Sequence, residues 1–548
     1  MDATTRFRTE RIGALPVIAA YLEKLRIRHI IDELVPWDGG VPLGTLVEVM
    51  ICNRMLNPKA QYKIGEWAKR AGVCEYYGVS PEALNDDCLG RALERIASHV
   101  FTVQSHLVVH VVKTFKLDVS KVHYDISNVE LYGAYERQLN ENGQADSGPT
   151  PMYGRTKSGR KNVKQVQFGI NVARDGAVPF DLLPFDGSQA EVKTHLENLD
   201  RLRKLLPTSR RLYSADTKFD APENLLQNKA HGGLFLCGGV FQPHLKEEYL
   251  QIRDQMQEVD YCPKSKQHLP EDQRPKYQVH EVWKTLEGKV DRRRVRMRYR
   301  LLFVWSEAKA NEEAKTRQRH LGKVREEFDK IAKNLNKYSL KTREKIIERL
   351  ESAKNKYTVG HVFRYALSCR QGQFQLDWHI DETALARAQQ LEGAYVIKTD
   401  LPKGEYSAAQ VLEQYKEQIH VERRIGDMKG PLAIAPMYLE KPQRIAGLMQ
   451  ILLWSLMALS LMERHVRRSL KGKPMYGIYP ENRPCPAPTG RGILECFEDL
   501  SIVIIKHKGD IRRRLAELTN VQRELVRMMG IPPDSLSAFK RKCCQTKM

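Results

Sequence analysis

The sequence predicts a mixed α/β sheet domain, interrupted by an α+β insertion lobe and flanked by helical N-terminal and C-terminal regions. Three observations support this fold class. Apolar residues recur at helical spacing between residues 12 and 99, short β-branched and aromatic runs follow from residue 121, and a charged segment interrupts them after about residue 240. A length of 548 residues fits several domains, because a typical domain has roughly 150 residues.

Residues 1–115 are expected to form a helical N-terminal domain. Runs such as LPVIAAYLEKLRIRHIIDEL and LGTLVEVMICNRML place apolar residues three and four apart, with Pro and Gly breaks between them. Helical bundles in basic proteins often bind DNA, and helices that only pack against a neighbouring domain fit the pattern equally well. Both interpretations stay open.

Residues 116–240 are expected to form the first part of the sheet domain. The runs KVHYDIS, VKQVQFGINVARDG and AVPFDLLPF predict three successive strands, and the helical run SQAEVKTHLENLDRLRKLL, the strand RRLYSAD, a short helix and the strand GLFLCGGV follow. This order indicates a mixed α/β sheet. Residues 393–470 are expected to complete the domain with the strand GAYVIKTD and two helices, and residues 471–548 to form a basic helical region.

Residues 241–392 are expected to form the insertion lobe. Within it, RRRVRMRYRLLFVW alternates strictly, with Arg294, Arg296, Arg298 and Arg300 on one face of a strand. Two interpretations are equally supported. The arginine face either meets phosphate groups while the other face packs, or it belongs to a solvated edge strand protected by positive charge.

The charge of the chain favours a nucleic-acid partner. Its formal net charge is +22, from 89 Lys and Arg against 67 Asp and Glu, and its pI is about 9.4. Such a protein attracts polyanions. The ten cysteines contain no CxxC pair, so a zinc cage is not indicated and reduced cytosolic thiols are expected.

No membrane role is expected. The N-terminus lacks the apolar segment of a secretory signal. The stretch IAGLMQILLWSLMALSLM, Ile445 to Met462, approaches the ~20 residues of a membrane span, but a glutamine and two serines interrupt it. We interpret it as a helix buried inside the protein.

Three carboxylates are candidates for metal-dependent chemistry on DNA. Phosphodiester cleavage can use two magnesium ions about 3.5–4 Å apart, which hard oxygen ligands hold. Asp125 and Asp216 each end an apolar strand, although either alone could be a turn or a helix cap. On the predicted helix YKEQIHVERRIGDMK, one stripe contains Glu422 together with Tyr415, Gln418 and Lys429.

At these residues the sequence resembles the DDE transposases of bacterial insertion sequences, in the superfamily numbered four and its branch with a long N-terminal helical domain. That family has a Tyr, two residues, Arg, three residues, Glu, six residues, Lys signature, which Tyr415, Glu422 and Lys429 match, with Gln418 in the Arg place. The segments YDISNVELYG and SADTKFDAPENL are similar to the first-acid and second-acid segments. The stretch YGRTKSGRKNVKQVQF is similar to the family at Lys157, Arg160 and Gln165.

The resemblance implies an RNase H-like catalytic domain, split by an insertion lobe after its fifth strand. It implies that Asp125, Asp216 and Glu422 bind two Mg²⁺ ions, which Mn²⁺ can replace. Water would cut the strand at the element's end, and the freed 3′-hydroxyl would attack target DNA. Phosphates would be positioned by Lys429, Tyr415, Gln418, Lys157 and Arg160.

The expected partner is double-stranded DNA with inverted repeats at the element's ends, bound by a homodimer. The expected location is the bacterial cytoplasm, with the nucleoid. Two other functions fit the same residues: an RNase H-like nuclease that does not join strands, and a catalytically inert, domesticated DNA-binding protein.

Overall fold

The computed structural model describes residues 6–133, 135, 148–154, 159, 162–207, 210–434, 439–507 and 510–540. The chain forms two compact units. The first contains Met1–Gly233 and Glu417–Met548, and the second is Leu234–Lys416. The second unit therefore includes the expected insertion lobe and extends beyond both of its boundaries.

The first unit opens with a strand and a series of helices, as the periodicity of residues 1–115 predicts apart from the strand. These elements are β1 (Arg6–Arg11), α1 (Leu15–Leu25), α2 (Ile27–Leu34), α3 (Leu43–Leu56), α4 (Ile64–Arg70), α5 (Val73–Tyr77) and α6 (Asp86–Phe115). The long helix α6 begins at Asn85, whose side chain accepts a hydrogen bond from the Cys88 amide at 2.9 Å. This contact satisfies one of the free N–H groups of the first turn.

The sheet of the first unit confirms the predicted mixed α/β fold class. Its elements are β2 (Lys121–Leu131), β3 (Met152–Tyr153), β4 (Lys164–Ala173), β5 (Val178–Phe185), α7 (Glu191–Leu205), β6 (Leu212–Ala215) and α8 (Pro222–Ala230). Four of these strands lie in the order β5–β4–β2–β6, with β4 antiparallel to both of these neighbours and β6 parallel to β2. This arrangement is that of an RNase H-like sheet.

The second unit contains a mainly antiparallel sheet and a small helical core. Its elements are β7 (Leu234–Gly239), α9 (Pro243–Ile252), β8 (Gln257–Glu258), β9 (Tyr277–Val290), β10 (Arg293–Ser306), α10 (Glu307–Lys333), α11 (Arg343–Asn355), β11 (Phe363–Arg370), β12 (Gln373–Ile380), α12 (Glu382–Gln390), β13 (Ala394–Thr399) and α13 (Ala408–Lys416). The strand order is β7–β13–β10–β9–β8. Strands β7 and β13 pair with each other, and the division into compact units assigns both to this unit.

The chain then returns to the first unit, where one helix fills the core. The returning elements are α14 (Ile419–Lys429), α15 (Pro442–Leu470), α16 (Gly490–Glu495), β14 (Ser501–His507), β15 (Asp510–Leu515) and α17 (Asn520–Met528). Helix α15 is long and apolar enough to cross a membrane, but 94% of its most apolar window is buried, against α6, β5 and α3. At Gly447 a Cβ atom would lie 2.3 Å from the carbonyl oxygen of Leu93, so the two helices touch at backbone distance.

The C-terminal region differs from the helical one expected for residues 471–548. Strands β14 and β15 pair antiparallel, and β1 pairs with the other edge of β14 in the order β1–β14–β15. The run SIVIIKH is rich in β-branched residues, which favour a pleated strand. Strand β14 lies in the centre of this sheet, and its second edge provides the partner with which β1 forms a strand at the N-terminus.

Candidate active site

The register of two neighbouring strands places Asp125 and Asp216 in one row of the sheet. On the parallel strands β2 and β6, Lys121 pairs with Leu212 and His123 with Ser214. Partners in this register differ by 91 in residue number, as Asp125 and Asp216 do. Asp216 directly follows β6 and keeps an extended backbone, with φ −74° and ψ −171°. Continued by two residues past its last pair, this register sets the two aspartates opposite each other at the ~4.8 Å spacing of adjacent strands.

Both aspartates project from the same face of the sheet. On the opposite face, Tyr124 is buried and stacks with Tyr213, their ring centroids 5.9 Å apart, and it also contacts His195 of α7. Side chains alternate along a strand, so Asp125, which follows Tyr124, lies on the face away from α7. The same alternation from Tyr213 puts Asp216 on that face.

The carboxyl groups of the two aspartates bind backbone amides. Oδ1 of Asp125 accepts from the amide of Ile126 at 2.8 Å. Oδ1 of Asp216 accepts from the amide of Lys218 at 2.9 Å and thereby caps the short 3₁₀ turn Thr217–Phe219. Among the described residues, no three or more His, Cys, Asp or Glu side chains are arranged to hold a metal ion. Carboxylate oxygens are suitable ligands for Mg²⁺, but the two carboxylates would have to break their bonds to these amides in order to bind a common metal site.

Gln418 fixes the start of α14 to strand β2, next to Asp125. Its Nε2 donates to the carbonyl oxygen of Tyr124 at 3.0 Å, and its Oε1 lies 3.3 Å from Nδ1 of His123. An amide oxygen only accepts, so Nδ1 of His123 carries the proton in this contact. We call this pair of hydrogen bonds the Gln418 clamp. Glu422 lies one helical turn further along α14, on the stripe that begins at Gln418.

His123 is electrically neutral in this environment. Its side chain is 3% exposed, and burial lowers the pKa of the imidazole to about 4, although the hydrogen bond with Gln418 acts in the opposite direction. The ring therefore contributes a fixed N–H donor to the clamp rather than a charge.

A salt bridge next to the clamp holds the same end of the helix. Nη2 of Arg174, directly after β4, donates to Oε1 of Glu417 at 2.8 Å, and Nε of Arg174 bonds the other carboxylate oxygen. Burial raises the pKa of Glu417, but the hydrogen bond and charge of Arg174 outweigh it and lower the pKa overall. Bidentate pairs of this kind fix geometry as well as charge.

The middle of α14 is anchored by a buried arginine. Nε of Arg424 donates to the carbonyl oxygen of Ala177 at 2.7 Å, and its Nη2 donates to Glu463 of α15 at 3.0 Å. The Arg424 side chain is 1% exposed and that of Glu463 is 4% exposed. Together with the clamp, these contacts hold α14 along the face on which both aspartates lie, while Glu422 itself is exposed.

The predicted stripe is divided between two helices. The chain leaves helical hydrogen bonding at Glu417 and Gln418, so Tyr415 belongs to α13 in the second unit, where it stacks on Tyr395 at 6.3 Å between ring centroids. Gln418, Glu422 and the half-buried Lys429 remain on α14. The expectation of one continuous helix was wrong: helical hydrogen bonding is interrupted at Glu417 and Gln418, whose side chains bind Arg174 and β2. Lys157 and Arg160 lie outside the described residues.

Sequence reasoning missed the residues that position this face. His123, Arg174 and Arg424 carry the contacts that fix α14, and all three partners are distant in sequence. The only local indication was a histidine within the apolar run VHYD, which is unusual for a buried strand.

Comparisons with known proteins give limited matches. A family described as "Domain of unknown function (DUF4277)" matches residues 7–108, which include α1 to α5 and most of α6. No curated protein sequence matches the chain. Among solved structures, the piggyBac transposase in a synaptic complex with hairpin DNA is similar at 9% identity and a TM-score of 0.39, over 99% of this chain and 89% of that chain. At this level the similarity supports no inference about function, which has to come from the residues of this chain.

Proposed function

We propose that this chain is a DNA transposase that cleaves at the ends of an insertion sequence and transfers the freed 3′-hydroxyl strand to target DNA. One observation supports the proposal: the register of β2 and β6, continued by two residues, brings Asp125 beside Asp216, and Gln418, one helical turn before Glu422, bonds to β2 next to Asp125. Two acids that are distant in sequence are thus neighbours in the sheet, and the sequence resemblance assigns these same residues to catalysis.

In the proposed site, Asp125, Asp216 and Glu422 would hold two Mg²⁺ ions, which supply an activated water and stabilise the leaving oxygen when bound. The two aspartates would exchange their bonds to the amides of Ile126 and Lys218 for metal contacts. A lost cap costs about 1 kcal/mol, which the binding of the two ions would have to offset.

The other residues of the first unit would orient the helix and the DNA. The Gln418 clamp and the Glu417–Arg174 pair keep the start of α14 against β2 and β4. Lys429, which lies on the same stripe of α14 as Glu422, would contact a phosphate. Joining two element ends in one event requires two active sites, so the proposal includes a homodimer on DNA, which light scattering of the protein–DNA complex tests.

Cleavage is tested with the full chain and labelled duplexes taken from the DNA that flanks the gene on each side. Wild type is expected to nick these duplexes with Mg²⁺ or Mn²⁺, and Asp125→Asn, Asp216→Asn and Glu422→Gln to lose nicking while still binding. Asp220→Asn, which changes a carboxylate four residues beyond Asp216, is the matched control and should keep activity. A wild type that binds DNA but never cuts it contradicts the proposal and favours an inert DNA-binding protein.

Strand transfer is tested separately with a pre-cut 3′-hydroxyl end and a supercoiled target. Joined products support a transposase, whereas cutting without joining favours a nuclease. Metal binding has its own measurement: Mn²⁺ should raise the thermal midpoint of wild type but not of the Asp125→Asn, Asp216→Asn double variant, because a ligand that binds only the folded state stabilises it. An equal rise in both proteins would exclude the two aspartates as ligands.

A further inference from the structure

Strands β9 and β10 continue beyond the rest of their sheet. Strand β13 pairs with β10 only between Arg300 and Trp305, whereas β9 pairs with β10 over its whole length. Residues 284–299 therefore extend as a two-stranded ribbon, and we call them the ribbon. The arginines that the sequence analysis left with two interpretations belong to it, except Arg300, which is fully buried against Glu281.

One face of the ribbon is cationic and exposed. Arg294, Arg296 and Arg298 alternate along β10, and Lys289 faces Arg294 across the strands, so the four side chains share a face. All four are exposed, with 79% of the Arg294 side chain and 71% of the Arg296 side chain accessible. The carboxylate of Glu287 lies between two of them, 2.6 Å from Arg294 and 2.9 Å from Arg296. One acid among four cations leaves the face strongly positive.

The contacts of this face hold its guanidinium groups in defined positions. Glu287 orients Arg294 and Arg296, and Cζ of Arg298 lies 4.4 Å from the ring centroid of Trp283. An arginine stacked on an aromatic ring loses less side-chain freedom when it binds an anion. A solvated edge strand protected by charge does not need such preordering.

The opposite face of the ribbon packs against the rest of the second unit. Met297 is 2% exposed, Tyr299 packs with the cluster around Tyr249 and Phe303, and Nζ of Lys284 donates to Glu248 of α9 at 2.8 Å. The ribbon therefore has one packed face and one cationic face, as the alternating sequence indicates.

The turn at the tip of the ribbon has a further cation, Arg292, at a position that favours glycine. Asp291 and Arg292 have φ of 48° and 66°, and a two-residue hairpin turn with both φ values positive usually has Gly at its second position. A residue other than Gly, Asn or Asp is strained in this region, and strain of this kind often marks a functional site.

We propose that the cationic face of the ribbon binds the phosphate backbone of duplex DNA, an inference that rests on the proposed function for the identity of the substrate. Side chains on one face of a strand repeat about every 6.8 Å, so the three arginines present their charges in a row that can follow a phosphate backbone. A two-stranded ribbon also fits the major groove of B-form DNA, which is about 12 Å wide. The deep, narrow major groove of duplex RNA does not admit one.

The ribbon is tested by measuring the affinity of the full chain for a labelled 30-base-pair duplex over a series of salt concentrations. The ribbon triple variant is Arg294→Gln, Arg296→Gln, Arg298→Gln. This variant is expected to make the negative slope of log K against log salt shallower by about 2–3 and to weaken binding roughly tenfold or more at low salt. The matched control, Lys315→Gln, Arg319→Gln, Arg325→Gln, removes the same charge from exposed positions of α10 and should change the slope far less.

A single substitution at the tip gives a second, independent measurement. Arg292→Gly removes the strained residue and a cation together, so it should raise the thermal midpoint by about 1–3 °C and lower the salt slope by about 1. A loss of affinity in this variant cannot come from unfolding. An unchanged slope with a raised midpoint would show that the tip does not touch DNA.

The outcomes separate this inference from the proposed function. Equal losses in the ribbon triple and the α10 triple, or tighter binding of duplex RNA than of duplex DNA, would overturn the ribbon as a DNA-binding surface even if wild type cuts DNA. Normal binding by the ribbon triple would do the same. Loss of binding in the ribbon triple supports the inference whether or not wild type cleaves, because the cleavage variants Asp125→Asn and Glu422→Gln are expected to bind normally.

Discussion

Replacing Gln418 with Leu should release the start of α14 from the sheet. The substitution keeps the approximate size of the side chain and removes both hydrogen bonds of the clamp, the one to the Tyr124 carbonyl and the one from His123. Nothing else about the helix changes, since Gln418 precedes its first residue, Ile419. The effect should therefore be local to α14.

The magnitude follows from the two bonds and the burial of His123. Each hydrogen bond contributes about 1 kcal/mol net, and an N–H group left without a partner in a site that is 97% buried adds about 1–3 kcal/mol. The free energy of opening α14 should fall by about 3–5 kcal/mol in all. At 1.4 kcal/mol for each factor of ten, amide hydrogen exchange within α14 should become roughly 100-fold to several-thousand-fold faster.

Hydrogen–deuterium exchange of a peptide that covers Ile419–Lys429 measures this change in the full chain. Ile419→Gln is the matched control, because Ile419 is 54% exposed and its replacement should leave exchange unchanged within a factor of about two. If Gln418→Leu and Ile419→Gln give the same exchange as wild type, the clamp does not hold the helix. The positioning role assigned to Gln418 would then be wrong.

Three further outcomes are expected from buried charges. Arg424→Met removes one of the two arginines that bind the buried Glu463, which keeps Arg467 and the Gly490 amide, and should lower the free energy of unfolding by about 1.5–3 kcal/mol, seen as a lower thermal midpoint; an unchanged midpoint would contradict a structural ion pair. Burial lowers the pKa of His195 from 6.5 to about 3, so only the unfolded chain takes up a proton between these pH values. The stability of the fold is therefore fully present above pH 6.5 and is lost as the pH falls towards 3. His195→Gln should flatten this part of the curve of thermal midpoint against pH. Burial raises the pKa of Glu48 from 4.5 to about 7, so the stability of the fold is fully present below pH 4.5 and is lost as the pH rises through 7. Glu48→Gln should therefore increase the free energy of unfolding by about 3 kcal/mol above pH 7 and leave it unchanged below pH 4.5. The control Glu33→Gln, at an exposed position, should leave it unchanged at either pH.

The strands of the first unit were predictable from the sequence because their signals are local. The runs KVHYDIS, VKQVQFGINVARDG and AVPFDLLPF became β2, β4 and β5, each dominated by β-branched or aromatic residues. The register between β2 and β6 was not predictable. It depends on which residues of two distant segments exchange hydrogen bonds, and a shift of one residue would have placed Asp216 on the other face.

The break between α13 and α14 could not be seen in the sequence. No Pro or Gly lies between Tyr415 and Lys429 except Gly426, and the polar stripe continues at helical spacing. The interruption coincides with the side-chain contacts of Glu417 to Arg174 and of Gln418 to β2, which periodicity cannot report. The same limit explains Arg300, which alternates with the exposed arginines but lies inside the second unit, where it donates to the carbonyl oxygens of Leu401 and Tyr406.

The discontinuity of the first unit has a consequence during synthesis. Helix α15, which covers apolar surface of β5 and α6, leaves the ribosome only after the whole second unit has been made. At about 5–20 residues per second, the nascent sheet waits some tens of seconds with that surface uncovered, a period in which chaperones can bind it. Glu422 arrives equally late, so a polypeptide released before residue 417 contains both aspartates but not the helix that faces them. Such a fragment is expected to be aggregation-prone and unable to assemble the proposed site.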